Sequence, residues 1–331
     1  MEQIMNYVKP ELIIVAIVLY FLGMGLKQAQ AVKDKYIPLI LGGVSIVLCA
    51  IWVLATSEMC TGQQAAMAVF TAVTQGILVA GHDHLGHGKS LPEGAVPVYF
   101  GDGATWETVV DDIHLLHQRL REQYPRLPIL LMGHSMGSFY ARQYLCEFGD
   151  ELDGAIIMGT GWQPEMTIRG GLLLAGAIAR IKGPDATSKL VTNMAFGAYN
   201  KAFGDKPRTP NDWLSADTDN VDRYMADPMC GAEATVGLFR QMLRGLRFNQ
   251  TPRNIDKMDK DAPILLIAGQ SDPVGDMGAG VRRTHDAFKR AGIKDVTLKL
   301  YPGLRHEILN EAAMQDTVYG DIRAWMARVL G

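Results

Sequence analysis

The run Gly133-His134-Ser135-Met136-Gly137 sets a hydroxyl between two glycines, after an apolar stretch at 129–132 and before a helical pattern at 138–148. Strand, sharp turn and helix is the context that leaves a serine side chain exposed at the C-terminal end of a strand. The turn asks for small residues two before and two after the serine, where a side chain would meet neighbouring backbone. The Met136 N–H, at the start of the helix, then points at the oxygen of an attacked carbonyl and is the candidate oxyanion donor. A serine hydroxyl is a weak nucleophile at neutral pH, so it needs a base, and the base needs an orienting carboxylate. Asp272 lies four residues past the apolar run at 264–268, and His306 five past the run at 296–301. Both fall in loops at strand C-termini, the edge where Ser135 stands. The trio reads as nucleophile Ser135, base His306 and orienting acid Asp272. Asp276 and Glu307 compete as acids, His134 and His285 as bases; Asp276 is four residues further along its loop, and His285 is inside a helical pattern.

The elements that must position these groups follow from periodicity. Residues 105–124 carry Trp106, Val109, Val110, Ile113, Leu116 and Leu120 at helical spacing, giving a helix with one buried face. Residues 154–158 form the next strand, and its outlet Gly159-Thr160-Gly161-Trp162 opens a long excursion to about 261. That excursion has no strand pattern and reads as helices broken by Gly and Pro, with turns at 212–215 and 227–231 and a helix at 235–246. Its strongly apolar stretch, 170–181, either packs on the domain below or caps the site and suits an acyl chain. A strand at 264–268, a helix at 280–291, a strand at 296–301 and a closing helix at 310–329 complete the chain. Strands alternating with helices imply an α/β fold with a parallel sheet and right-handed crossovers.

The 331 residues have room for two domains, or for one large domain with an appendage, and the net charge of −3 gives no reason to expect nucleic acid. Apolar residues make up 48% of the chain but are unevenly placed, and the first 81 residues hold only eight charged side chains. Residues 12–26 and 36–57 are uncharged runs, and 59–81 is a third, diluted by glutamines. A membrane helix needs about 20 apolar residues, so the chain opens with two to three candidate spans. A signal peptide ending near Ala29-Gln30-Ala31 is the alternative for the first run. Against it, Glu2 and Glu11 flank a single Lys9, and a longer apolar span follows. Lys27, Lys33 and Lys35 put the first loop in the cytoplasm and the N-terminus outside, so chain after the second span is outside and only a third crossing would return it to the cytoplasm. Cys49, Cys60, Cys146 and Cys230 lack metal-ligand spacing and read as reduced thiols.

Two resemblances divide the chain. The segments Tyr7-Val8-Lys9-Pro10-Glu11-Leu12, Lys33-Asp34-Lys35-Tyr36-Ile37-Pro38-Leu39 and Phe70-Thr71-Ala72-Val73-Thr74-Gln75-Gly76-Ile77 make residues 1–76 similar to a small phage holin. That likeness implies a multi-span, membrane-breaching segment that self-associates. From Gly76-Ile77-Leu78-Val79-Ala80-Gly81 onward, with Asp83-His84-Leu85-Gly86-His87-Gly88-Lys89-Ser90 matching D-x-x-G-H-G-x-S, residues 77–331 resemble an α/β-hydrolase of the monoacylglycerol lipase or lysophospholipase kind, in the serine aminopeptidase group. In such hydrolases the order along the chain is Ser, Asp, His, which Ser135, Asp272 and His306 obey. The resemblance implies a helical cap at 162–261, a lipid ester substrate, and neither metal nor cofactor. Ile77 to Ala80 is expected as the strand before the His-rich turn. A zinc site at His82, His84 and His87 is the less favoured reading of that turn, because Gly86 stands where a metallo-hydrolase needs Asp. The family's front strands, and the H-G-x loop that supplies a second oxyanion N–H, have no counterpart here, since no His-Gly pair precedes His87-Gly88. The expected molecule is therefore an α/β-hydrolase lacking its first strands behind a membrane segment, either an ester hydrolase weakened by that loss or a holin-like protein with an inert passenger. A peptidase is the third reading.

Overall fold

A computed structural model describes residues 78–204 and 207–331. The expected spans at 12–26 and 36–57, and the 59–81 stretch up to residue 77, lie outside the described residues. Among the described residues no helix is long and apolar enough to cross a membrane.

The elements run α1 (Trp106–Gln123), β1 (Leu130–His134), α2 (Met136–Phe148), β2 (Gly154–Met158), α3 (Glu165–Lys182), α4 (Lys189–Phe196), α5 (Thr218–Ala226), α6 (Val236–Asn249), α7 (Pro252–Ile255), β3 (Ile264–Gly269), α8 (Ala279–Arg290), β4 (Val296–Tyr301) and α9 (Gln315–Leu330). The strands form a parallel sheet in the order β1-β2-β3-β4. Every residue of β2 and β3 is buried, which explains their unbroken apolar runs, whereas β1 and β4 are only partly covered. The main core packs Val109 and Val110 of α1, Tyr140, Tyr144 and Leu145 of α2, and Val281 and Phe288 of α8 against Ile157, Ile264 and Leu266.

The segment expected as a strand at 77–80 is irregular over residues 78–80, with Leu78 and Val79 exposed. A strand persists only where a neighbour takes its backbone hydrogen bonds. β1 pairs with β2 on one side, and among the described residues no strand pairs with its other side. The His-rich turn that follows is held locally: Lys89 N–H donates to Asp83 Oδ2 at 2.8 Å, and the Gly86 backbone lies so close to Tyr99 that a Cβ would overlap its carbonyl. His82, His84 and His87 do not converge into a ligand set.

Between β2 and β3 the chain is helical, as expected, apart from one isolated antiparallel bridge between Thr187 and Thr235. Only part of this apolar segment packs on the domain below. Ile168 and Leu172 of α3 pack with Phe139 of α2, Leu246 of α6 and Val274, while Leu173 and Ile181 face outward, 77% and 83% exposed.

Candidate active site

Ser135 sits between β1 and α2 at φ 54°, ψ −120°, a left-handed conformation that a non-glycine residue rarely adopts. Its N–H donates to Met158 O of β2 at 3.0 Å, so the turn is pinned to the neighbouring strand. A Cβ on Gly133 would overlap the Gly137 carbonyl oxygen, which is why a glycine stands two before the serine. The matching expectation for Gly137 fails: a Cβ there meets nothing within 4 Å, and what the turn uses at that position is the carbonyl that presses on Gly133. Met136 opens α2, so its N–H is among the first four of the helix that have no intrahelical acceptor.

Asp272 and His306 are brought together from the outlets of β3 and β4. His306 Nδ1–H donates to Asp272 Oδ2 at 2.9 Å, and Asp272 Oδ1 accepts Val274 N–H at 2.9 Å. The pair is enclosed, with Asp272 0% and His306 2% exposed. Two backbone bonds zip the outlets, Gln270 N–H to Tyr301 O at 2.8 Å and Ser271 N–H to Leu304 O at 2.9 Å. Gly269 makes the crossing possible, because a Cβ there would overlap the carbonyl oxygens of Leu304 and Arg305. His306 Nε2 is buried and has no hydrogen-bond partner, so the bond to Ser135 that a base would make is not formed in this structure. The imidazole packs against the outlet of β2. Gly159, next to the Met158 carbonyl that holds Ser135, has φ 58°, and a Cβ on it would lie 3.1 Å from His306 Cε1.

The competing residues are otherwise engaged. His134 Nε2–H donates to His306 O at 3.1 Å, and the two rings lie 4.6 Å apart. Burial, reinforced by His306, pushes the His134 pKa down to about 3, so its ring is neutral and braces the His306 backbone. His285 is on α8, paired with Asp286 at 3.0 Å, and Asp276 is exposed and faces Arg283 at 3.3 Å. Glu307 is buried but accepts from Asn220 Nδ2 at 2.7 Å and Asn310 Nδ2 at 3.0 Å, a structural tie.

That tie belongs to a clamp that has no signature in the sequence. Glu307 N–H donates to Leu214 O at 2.8 Å, Arg305 donates to the carbonyls of Asp212 and Ser215, and buried Glu311 accepts from Ala216 N–H and Arg305 N–H. The helical insertion thereby grips the loop that carries His306. It also lays Trp213 5.2 Å from the His306 ring, with Tyr199 and Phe196 packed on Trp213, an apolar wall beside the imidazole. A separate cavity of about 200 Å³, lined by Tyr99, Asp102, Arg240 and Gln241, includes none of Ser135, Asp272 and His306.

A strained serine at a strand–helix turn and a buried carboxylate–imidazole pair on the same sheet edge can perform nucleophilic acyl transfer. Comparison with known proteins agrees with that chemistry. Residues 62–313 match the family described as "Serine aminopeptidase, S33". Residues 9–88 match "Phage holin family Hol44, in holin superfamily V", so the two matches overlap at 62–88. The chain is 29% identical to a monoacylglycerol lipase of Mycolicibacterium smegmatis over 253 residues, covering 76% of this chain and 78% of that one. It is 25% identical to the Homo sapiens monoglyceride lipase over 258 residues, 76% of this chain and 74% of that one. Among solved structures, a carboxyl esterase from Bacillus coagulans, crystallised with glycerol, superimposes with a TM-score of 0.70 at 30% identity, covering 75% of this chain and 80% of its own.

Proposed function

The chain belongs to the serine aminopeptidase S33 family, and from that premise we propose that it is an ester hydrolase acting on monoacylglycerol or lysophospholipid-type substrates through Ser135, His306 and Asp272. The observation that supports this best is the buried Asp272–His306 pair, whose outer nitrogen has no partner, on the edge where Ser135 stands at φ 54°. Ser135 Oγ attacks the ester carbonyl carbon as its proton passes to His306 Nε2. Asp272 holds the imidazole with Nδ1–H inward and stabilises the imidazolium that forms. The Met136 N–H takes the negative charge that develops on the carbonyl oxygen. Collapse breaks the ester C–O bond, the alcohol leaves with the proton from His306, and water repeats the steps to release the fatty acid. Trp213, Tyr199 and Phe196 offer the acyl chain an apolar wall, and residues 162–261 act as a cap. With Met136 as the one oxyanion donor legible in the chain, turnover is about 100- to 1000-fold lower than with two.

The test is hydrolysis of a 1-monoacylglycerol and a p-nitrophenyl ester, measured beside a proline-amide peptide. Ester turnover that disappears in Ser135→Ala supports the proposal. Cleavage of the amide alone would make the chain a peptidase.

A second reading rests on the match over residues 9–88. Residues 1–76 are then a holin-like segment of two to three spans that self-associates in the membrane, with 77–331 on the cytoplasmic side. Expression of residues 1–81 alone permeabilises cells on this reading, and unimpaired growth would remove it.

A further inference from the structure

The end of α2 away from Ser135 carries a cluster that the ester chemistry does not use. His114 and His117, three apart on α1, both direct Nδ1 at the Tyr144 hydroxyl, His114 at 3.0 Å. Glu151, in the turn after α2, places Oε2 3.8 Å from His114 Nδ1 and 3.9 Å from His117 Nδ1. All three ligand atoms fall within 4.8 Å of one another, and among the described residues no other trio of His, Cys, Asp and Glu converges so closely. Tyr144 lies nine positions past Ser135 on α2, roughly 14 Å along a helix axis, so the cluster is remote from the acyl site.

Without an ion this cluster is a hydrogen-bond relay. A phenol has one proton, so Tyr144 can donate to one ring only, and the other ring must present its own N–H. The Gln118 side-chain amide, 2.9 Å from His114 Nε2, selects which. Donating to Nε2, it leaves the proton of His114 on Nδ1. Turned through 180°, it accepts from Nε2–H and frees the Nδ1 lone pair. That outer hydrogen bond is the device that orients ligating histidines. The Glu151 carboxylate, 45% exposed, lies within 4 Å of both imidazoles. Arg121, the nearby cation, is spent on the carbonyls of Leu127 and Glu151 and on Asp153.

We propose that His114, His117 and Glu151 form a binding site for a divalent transition-metal ion, with Zn²⁺ the best-suited occupant. Two imidazoles and a carboxylate, with a phenol or water oxygen in the fourth position, are the ligand chemistry of a borderline cation. Tetrahedral ligands about 2.1 Å from Zn²⁺ lie roughly 3.4 Å apart, so the three ligand atoms, now within 4.8 Å of one another, draw together and the phenol oxygen shifts to admit the ion. The ion joins α1 to the turn after α2, beside β1. Its role is to hold those helices, and ester turnover does not pass through it.

The experiment uses the full 331-residue chain, without a histidine tag, stripped of metal in detergent. Titration with Co²⁺, then displacement by Zn²⁺, is followed by visible absorption, with thermal unfolding recorded in parallel. One Co²⁺ binds per chain with a tetrahedral nitrogen–oxygen spectrum, and Zn²⁺ at a hundred times its Kd favours the folded state about a hundredfold. His114→Gln and Glu151→Gln, both partly exposed positions, weaken binding at least tenfold, and Gln118→Leu weakens it about tenfold. Ester turnover stays within twofold in all three. Failure of the wild-type chain to take up Co²⁺ or Zn²⁺ saturably, or undiminished uptake by His114→Gln and Glu151→Gln, overturns the proposal. Because the esterase is measured in the same samples, loss of the ester hydrolase reading would be seen separately.

Discussion

Replacement of Asp272 by asparagine tests the orienting role of the buried carboxylate, and the structure fixes which way it fails. Oδ1 of Asp272 accepts Val274 N–H and Oδ2 accepts His306 Nδ1–H, each at 2.9 Å, in a site with no exposure. An asparagine is the same size but has one oxygen and one NH₂. With its oxygen kept on Val274 N–H, the NH₂ faces His306 Nδ1, which must then offer a lone pair. The imidazole proton moves to Nε2, the atom that should receive the serine proton. Turning the amide over only moves the donor–donor conflict to Val274. The wrong tautomer in such triads costs about 10⁴ in kcat, or about 5.5 kcal/mol of transition-state stabilisation, with KM little changed. Initial rates on a 1-monoacylglycerol, with circular dichroism and a melting curve to verify folding, measure it. Asp276→Asn, at an exposed residue beside Arg283, stays within twofold. A folded Asp272→Asn variant within tenfold of wild type would refute the reasoning, and a large loss at Asp276 would reassign the acid.

Three further outcomes follow from the same geometry. Gly269→Ala pushes a methyl into the Leu304 and Arg305 carbonyls; it costs about 1–3 kcal/mol in a urea titration and lowers kcat at least tenfold by moving the His306 loop. The His134 pKa lies near 3 when folded against an ordinary 6.5, so the unfolded chain takes up the proton first. Its contribution to stability is therefore full above pH 6.5 and falls by about 1.4 kcal/mol per unit as the pH drops towards 3. His134→Gln, which can still donate to His306 O, flattens that part of the stability–pH curve, and an unchanged slope would contradict the assignment. Asn220 and Asn310 both donate to Glu307 Oε2, so Glu307→Gln with its amide oxygen there keeps the acceptor for both and holds kcat within threefold; a loss resembling that of Asp272→Asn would make Glu307 the acid.

Much of this was legible in the sequence because β2 and β3, buried on both faces, leave unbroken apolar runs, while β4 alternates Val296, Leu298 and Leu300 with polar Thr297 and Lys299. β2 and β4 fall at the expected 154–158 and 296–301, and β3 extends one residue beyond 264–268. The sharp turn at Ser135 was legible because a serine at positive φ needs a glycine packed beneath it, which Gly133 supplies. Residues 78–80 misled because Leu78-Val79-Ala80 has the composition of a strand, yet strand formation depends on a neighbour that composition cannot reveal. The clamp of Arg305, Glu307 and Glu311 on residues 212–220 was invisible for another reason. Its partners are about 90 positions apart in sequence, and charged residues in a loop read as solvated until a fold encloses them. Gly159 and Gly269 could have been suspected, since each directly follows an apolar run at a strand exit, where loops that carry a site must cross.

Treatment of the purified chain with a fluorophosphonate, followed by mass spectrometry of its peptides, puts the proposed nucleophile to trial. One adduct per chain is expected, on Ser135, absent from Ser135→Ala and slowed at least a thousandfold in His306→Ala. An adduct on another side chain, or none on folded protein, would contradict the account.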